Sequence, residues 1–172
     1  MVESRDNFKD VLGDAFRSVL DKGLLSNQEP PIQEIVNYVW SKSKNKDRPK
    51  RISIDPKDMQ PLLPFISIME VVYKNGNFND IKVRLFGTEL VNVYGEITGT
   101  YVSDYPEESV ANRVLEDCKL AVDTKDIVVA TTSSPTQDKV FLKLKKVLIP
   151  LFDDVTDSNK VSQILGLTLV GK

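Results

Sequence analysis

Residues 51–99 read RISIDPKDMQPLLPFISIMEVVYKNGNFNDIKVRLFGTELVNVYGEITG, and the order of signals within them decides the fold. Asp55-Pro56 sets a capping carboxylate before a proline and so starts a short helix, which Pro61 and Pro64 end. An apolar strand follows over 66–73, then a hairpin turn signal in Asn75-Gly76-Asn77. Over 81–86, Ile81, Val83 and Leu85 alternate with Lys82, Arg84 and Phe86, the period of a strand. This strand runs into Gly87-Thr88, where a glycine permits a tight turn or a close backbone approach. A one- or two-turn helix then ends at Tyr94-Gly95, and Thr98-Gly99 makes a corner. A hairpin followed by short helices that cross the sheet suits a sensor or binding fold more than a catalyst.

Beyond this stretch, a longer helix follows Pro106. Val110, Val114, Leu115, Cys118, Ala121 and Val122 line one face, and Glu107, Glu108, Arg113, Glu116, Asp117 and Lys119 supply its polar positions. Acid at its start suits the helix dipole, and Asp126 ends it. Three strands close the chain, over 127–132, 140–151 and 161–170, the last with Gly166 at a point of close packing. Two strands, a helical crossover and three strands predict a five-stranded antiparallel sheet with helices on one side, an α+β domain.

Toward the N-terminus, residues 6–22 read as an amphipathic helix. Phe8, Val11, Leu12, Ala15, Phe16, Val19 and Leu20 recur at steps of three and four. Ser4 or Asp6 caps its start, and Gly23 suits the residue after its end. Gly13 costs such a helix about 1 kcal/mol against alanine, so packing must hold it. Two arrangements are open: the helix folds back on its own domain, or it pairs with a second copy through Phe8, Leu12, Phe16 and Val19. Pro30-Pro31 then starts a second helix, with Ile32, Ile35, Val36, Val39 and Trp40 on one stripe and an end near Ser43. Trp40 anchors this helix to the sheet. The expected organisation is a helical extension over 1–43, for dimerisation or packing, and a sheet domain over 44–172.

Composition bounds the chemistry. The chain has 172 residues, of which 41% are hydrophobic and 28% charged, the balance of an ordinary folded domain. A net charge of -2 gives no concentrated basic surface for nucleic acid or an anionic membrane. The basic run over 42–51 contains Asp47 and reads as a solvated linker. No apolar stretch is long enough to span a bilayer, and no secretory leader is evident, so a cytoplasmic location is expected. One cysteine, Cys118, fits a reducing compartment. The absence of histidine excludes histidine-ligated haem, most zinc sites and Ser-His or Cys-His catalysis, and haem altogether is disfavoured because its ligand would have to be Cys118, a methionine or a tyrosine. The carboxylate pairs Glu107-Glu108 and Asp153-Asp154 are adjacent in sequence, so their side chains diverge. No phosphate-loop or dinucleotide glycine pattern occurs. An enzyme is not expected.

In sequence the chain resembles the PAS superfamily, and within it a bacterial family of stand-alone PAS proteins. The resemblance is carried by Trp40 before a polar linker, Arg51-Ile52-Ser53-Ile54-Asp55-Pro56, and Leu62-Leu63-Pro64. It continues through Val83-Arg84-Leu85-Phe86-Gly87-Thr88, similar to the family's Arg-x-x-Gly-Thr run. Tyr94-Gly95, Thr98-Gly99 and Ile149-Pro150-Leu151 complete it. The matches keep their order from residue 40 to residue 151. One departure is Thr100, where the family often has arginine after the Thr-Gly corner, so a ligand group relying on that arginine loses its partner.

The resemblance implies a sensory or interaction module that cups a small ligand between sheet and crossover, or holds none and mediates dimerisation. With no kinase, cyclase or DNA-binding segment in the sequence, its output is expected through a separate protein partner. Arg84 is the candidate anion ligand, since a guanidinium holds a carboxylate or phosphate bidentately; its alternatives are an ion pair across the sheet edge or the outer face. Thr88, Tyr94, Thr98 and Tyr101 are candidate hydroxyl contacts in the same cavity. Covalent flavin photochemistry is disfavoured, because Cys118 sits on the apolar face of the long helix and outside any Asn-Cys-Arg-type motif. The rival reading is a ligandless scaffold whose cavity is filled by Met69, Phe86 and Phe141; a small-molecule enzyme is the weaker alternative.

Overall fold

The computed structural model describes residues 3–6, 15–44, 48–136, 139–154 and 159–171. Its centre is one antiparallel sheet of seven strands. They are β1 (Glu3–Asp6), β2 (Ala15–Val19), β3 (Ile66–Lys74), β4 (Asn77–Phe86), β5 (Val128–Thr136), β6 (Lys139–Phe152) and β7 (Val161–Gly171). They lie in the order β1-β2-β5-β6-β7-β3-β4. The expected five strands form the contiguous block β5-β6-β7-β3-β4, so the α+β class and the strand pairing agree with the sequence pattern.

Two expectations are corrected. The segment read as a helix over 6–22 holds strands instead: β2 pairs with β5, with Phe16 opposite Thr131 and Val19 opposite Val128, and β1 pairs with β2. Phe and Val also favour strands, and the free edge of β5 offers a row of backbone partners that the local 3.6-residue pattern cannot register. Phe8 and Leu12 lie outside the described residues. Dimerisation through an amphipathic helix loses its basis, because Phe16 and Val19 stand half-buried in a strand of the sheet.

The second correction concerns the helices, which pack on both faces of the sheet. On one face lies α1 (Pro30–Ser41), whose Ile32, Ile35, Val36 and Val39 are buried. They share a core with Ile66, Ile68, Val147, Ile149, Leu151, Leu165 and Leu167 from the sheet. The 3-10 segment Pro56–Phe65 closes this layer with Met59 and Leu62. Trp40 packs on the same core, as expected of an anchor. Residues on both sides of the expected division at 43/44 therefore share one core. On the other face lie α2 (Thr88–Tyr94) and α3 (Glu108–Thr124). There Ala111, Cys118, Ala121 and Val122 of α3 meet Met69, Val71, Ile81, Val83, Leu148 and Ile164.

The alternation in β6 shows how one strand serves both layers. Val147, Ile149 and Leu151 point to α1, while Leu148 and Phe152 point to α3. Both faces being covered there, residues 147–152 of this strand form a continuous apolar run, which carries no hint of a single-sided sheet. No helix among the described residues is long and apolar enough to cross a membrane.

Candidate functional site

The cavity begins with a register shift. Ile68 pairs with Leu85, and Met69 pairs with Val83, so Arg84 is an extra residue in β4. A bulge of this kind breaks the two-residue alternation and re-aims the side chains around it. Val83 and Phe86 consequently face the α3 side of the sheet, and Leu85 packs toward α1. Arg84 itself is exposed and does not line the cavity, which corrects its candidacy as the internal anion ligand.

The strand end is held by backbone contact. The Gly87 amide donates to the Ile66 carbonyl at 2.8 Å. A side-chain carbon on Gly87 would collide with the carbonyls of Leu63 and Pro64. This is the close approach anticipated at that position. It brings α2 down across the sheet, with Leu90 buried beneath it. Beyond Gly95, the chain passes back over the cavity to β4. The Val83 amide donates to the Thr100 carbonyl at 3.0 Å, and the Gly99 amide donates to the Val83 carbonyl at 2.7 Å. Gly99 has φ 86°, a left-handed conformation that suits glycine. Asp80, buried at the base, ties this segment down: it accepts from the Ser103 amide at 3.2 Å and from the Ser103 hydroxyl.

The enclosed space lies between sheet, α2, this crossing segment and α3. Its floor is Ser67, Met69, Val83, Leu148 and Thr168; its roof includes Leu90, Tyr94, Val102, Ala111 and Cys118. The volume open to the centre of a water-sized sphere is about 60 Å³. Gly166 in β7 helps to preserve it, since an added carbon there would lie 2.5 Å from Ser67 Oγ and 3.5 Å from Met69 Cε. Phe86, Tyr94 and Tyr105 form an aromatic wall, with ring centroids 5.9 Å and 6.2 Å apart along the series. The Tyr105 hydroxyl donates to the Tyr94 carbonyl at 3.0 Å, and burial raises its pKa above the ordinary tyrosine value.

Of the five expected ligand contacts, the structure brings Tyr94 and Tyr101 to the cavity. Tyr101 stands exposed at the rim, with the Lys82 ammonium 5.5 Å from its ring centroid. Thr88 is exposed on the first turn of α2 and does not line the space. Thr98 is exposed in the corner, where its amide donates to Glu96 at 3.0 Å, and its hydrogen bonds hold the Glu96 carboxyl below its usual range. Thr100 does line the cavity, and its hydroxyl donates to the Ile97 carbonyl at 2.7 Å. Cys118 lies fully buried on the cavity side of α3, and burial pushes its thiol up to about 12. At neutral pH it is a thiol and not a nucleophilic thiolate.

Sequence reasoning missed the charged end of the site. Lys146 lines the cavity from β6, and its ammonium lies 2.7 Å from Asp117 Oδ2. Arg17 Nε donates to the other oxygen, Oδ1, also at 2.7 Å. Arg113, one turn before Asp117 on α3, is 1% exposed. Its Nη1 donates to Thr132 Oγ1 at 3.2 Å, while Nε and Nη2 meet no hydrogen-bond partner. Arg17, Asp117 and Lys146 are likewise buried. The available signal was the Arg113 to Asp117 spacing of four on a helix, together with a lysine at the inward parity of β6.

The site is thus a small apolar chamber with a buried ionic cluster at one end. Among the described residues no group of His, Cys, Asp and Glu side chains is placed to hold a metal ion. No curated protein and no solved structure was found to match the chain. The family model described as PAS domain matches residues 27–169, from just before α1 into β7. With its antiparallel sheet and its crossover of short and long helices in place, the chain belongs to the PAS domain family, a family of sensory and signalling modules.

Proposed function

We propose that this PAS domain senses a small molecule, held between the sheet and the α2–α3 crossover, and passes its occupancy to a separate protein partner. It acts in the cytoplasm, by binding and not by catalysis. The supporting observation is the chamber. Space of about 60 Å³ persists even though the large side chains of Met69 and Phe86 border it. A core selected only for packing closes such voids, because each forfeits dispersion contacts and transfer energy. The lining is mainly apolar with a few polar groups, the make-up of a ligand pocket.

Mass spectrometry of the whole chain under native and then denaturing conditions tests the reading. The expected result is an added mass in the native spectrum that departs on denaturation. An Ala111→Leu variant, which fills the chamber from α3, should fold with an unchanged circular dichroism spectrum and lose that mass. If the native protein is bare, and cell extract depleted of protein leaves its melting temperature unchanged, the chamber is a packing defect and the ligandless scaffold is correct.

A further inference from the structure

Resting on the chamber as a ligand site, we propose that its ligand is a small carboxylic acid. The apolar body fills the space under α2 and α3, and the carboxylate lies against Arg113 and Lys146. The carrying observation is the state of Arg113. A guanidinium 1% exposed, with two of its nitrogens lacking hydrogen-bond partners, is costly, because a buried charge demands both neutralisation and satisfied donors. Asp117 is engaged elsewhere: one of its oxygens takes Arg17 and the other takes Lys146. Among the described residues, Arg113 therefore has no ion pair of its own.

The position of the missing charge is defined. A small void of about 10 Å³ is walled by Tyr94, Arg113, Asp117, Thr132, Leu144 and Lys146. Tyr94 and Lys146 are also walls of the main chamber, so the two spaces adjoin. The small void has room for about one water, which would hydrate Arg113 without neutralising it. One oxygen of a carboxylate whose body stays in the chamber would do both, through charge-assisted hydrogen bonds to the unpartnered nitrogens. A phosphate group brings more oxygens and more charge than this void and its apolar approach accommodate.

Titration calorimetry on the full chain, with hexanoate, benzoate, their neutral counterparts hexan-1-ol and benzamide, and inorganic phosphate, tests the assignment. Each acid should bind at least tenfold more tightly than its neutral counterpart. The Arg113→Met variant should lose that preference while still binding hexan-1-ol. The acid-to-neutral comparison is made on the natural protein, so it stands even if the variant fails to fold. If the neutral compounds bind as tightly as the acids, the carboxylate assignment is overturned and the chamber reading survives. If phosphate binds and the acids do not, the carboxylate is likewise overturned. If no organic probe binds, the carboxylate assignment falls, and the native mass spectrum decides separately whether the chamber reading falls with it.

Discussion

Replacing Gly87 by alanine isolates a single physical effect. The backbone there has φ -65° and ψ 157°, a conformation any residue adopts. Where a glycine of that kind has free space around it, alanine stabilises a protein by about 0.4–1 kcal/mol, through the lost freedom of the unfolded chain. Here the new carbon would sit 2.5 Å from the Leu63 carbonyl oxygen and 2.5 Å from the Pro64 carbonyl carbon, and would overlap the Pro64 oxygen as well. These are backbone atoms of a segment buried through Leu62, so no rotamer change relieves the contact. Overpacking of this sort costs about 1–3 kcal/mol. Displacing Gly87 also strains its 2.8 Å bond to the Ile66 carbonyl, worth a further ~1 kcal/mol.

The steric terms outweigh the entropic gain, so the sign is set: Gly87→Ala should lose about 2–3 kcal/mol. At about 2–4 °C per kcal/mol for a chain of this size, the midpoint falls by about 5–10 °C. Urea unfolding followed by Trp40 fluorescence, with circular dichroism in parallel, measures it. Thr88→Ala, one residue on and exposed, serves as the control and should stay within about 0.5 kcal/mol of the natural protein. If Gly87→Ala matches or exceeds the natural stability at an unchanged m-value, the close approach of α2 to the 56–65 segment is wrong, and with it the account of how the chamber is roofed.

Three further outcomes follow from the same geometry. Asp117→Asn leaves Arg17 and Lys146 buried without their shared counter-charge, and should cost about 3–5 kcal/mol in urea unfolding. Asp80→Ala frees Ser103 and should raise amide hydrogen exchange at residues 99–105 well above that of α1, with a loss of about 1–3 kcal/mol. Cys118 should resist a thiol reagent in the folded protein at pH 8 and react on unfolding. Its thiol stays protonated in the native state up to about 12 but ionises near 9 when exposed, so the unfolded state binds fewer protons between those values. Stability should therefore fall as pH rises from 9 toward 12, and Cys118→Ala should flatten part of that slope in alkaline melting curves.

The two arginines show which kinds of information a sequence carries. The core elements were legible because their causes are local: Pro30 starts α1, Asn75-Gly76 turns β3 into β4, and the apolar stripe of α3 follows the helical period. Arg84 stands in an alternating strand beside a Gly-Thr turn, which by local pattern alone makes it a candidate. Strict alternation opposes Arg84 to Val83 and Leu85, yet the bulge puts Val83 and Phe86 on one face and lifts Arg84 out to solvent. A bulge depends on how Ile68 and Met69 meet a second strand, which neither strand's own pattern states. Arg113 was hidden for the opposite reason. On α3 alone it falls among the polar positions, and an arginine followed four residues later by an aspartate resembles a solvated pair. It is buried because α3 lies over β5 and β6, where Ala130, Thr132 and Leu144 wall it, while β2 extends the sheet beyond β5 and brings Arg17 to Asp117 one turn on, a contact across a hundred residues of chain. The same non-local pairing that turned an expected N-terminal helix into strands also sealed the ionic end of the chamber. The error in the fold and the oversight in the site thus share one cause. Arg17→Met would keep β2 paired through its backbone while returning Asp117 to Arg113 and Lys146 alone. If the chamber holds an acid, that exchange should weaken hexanoate binding by bringing Asp117 into competition for Arg113, with little change for hexan-1-ol. An equal loss for both compounds would mean that β2 had detached, and that the cluster shapes the sheet without discriminating between ligands.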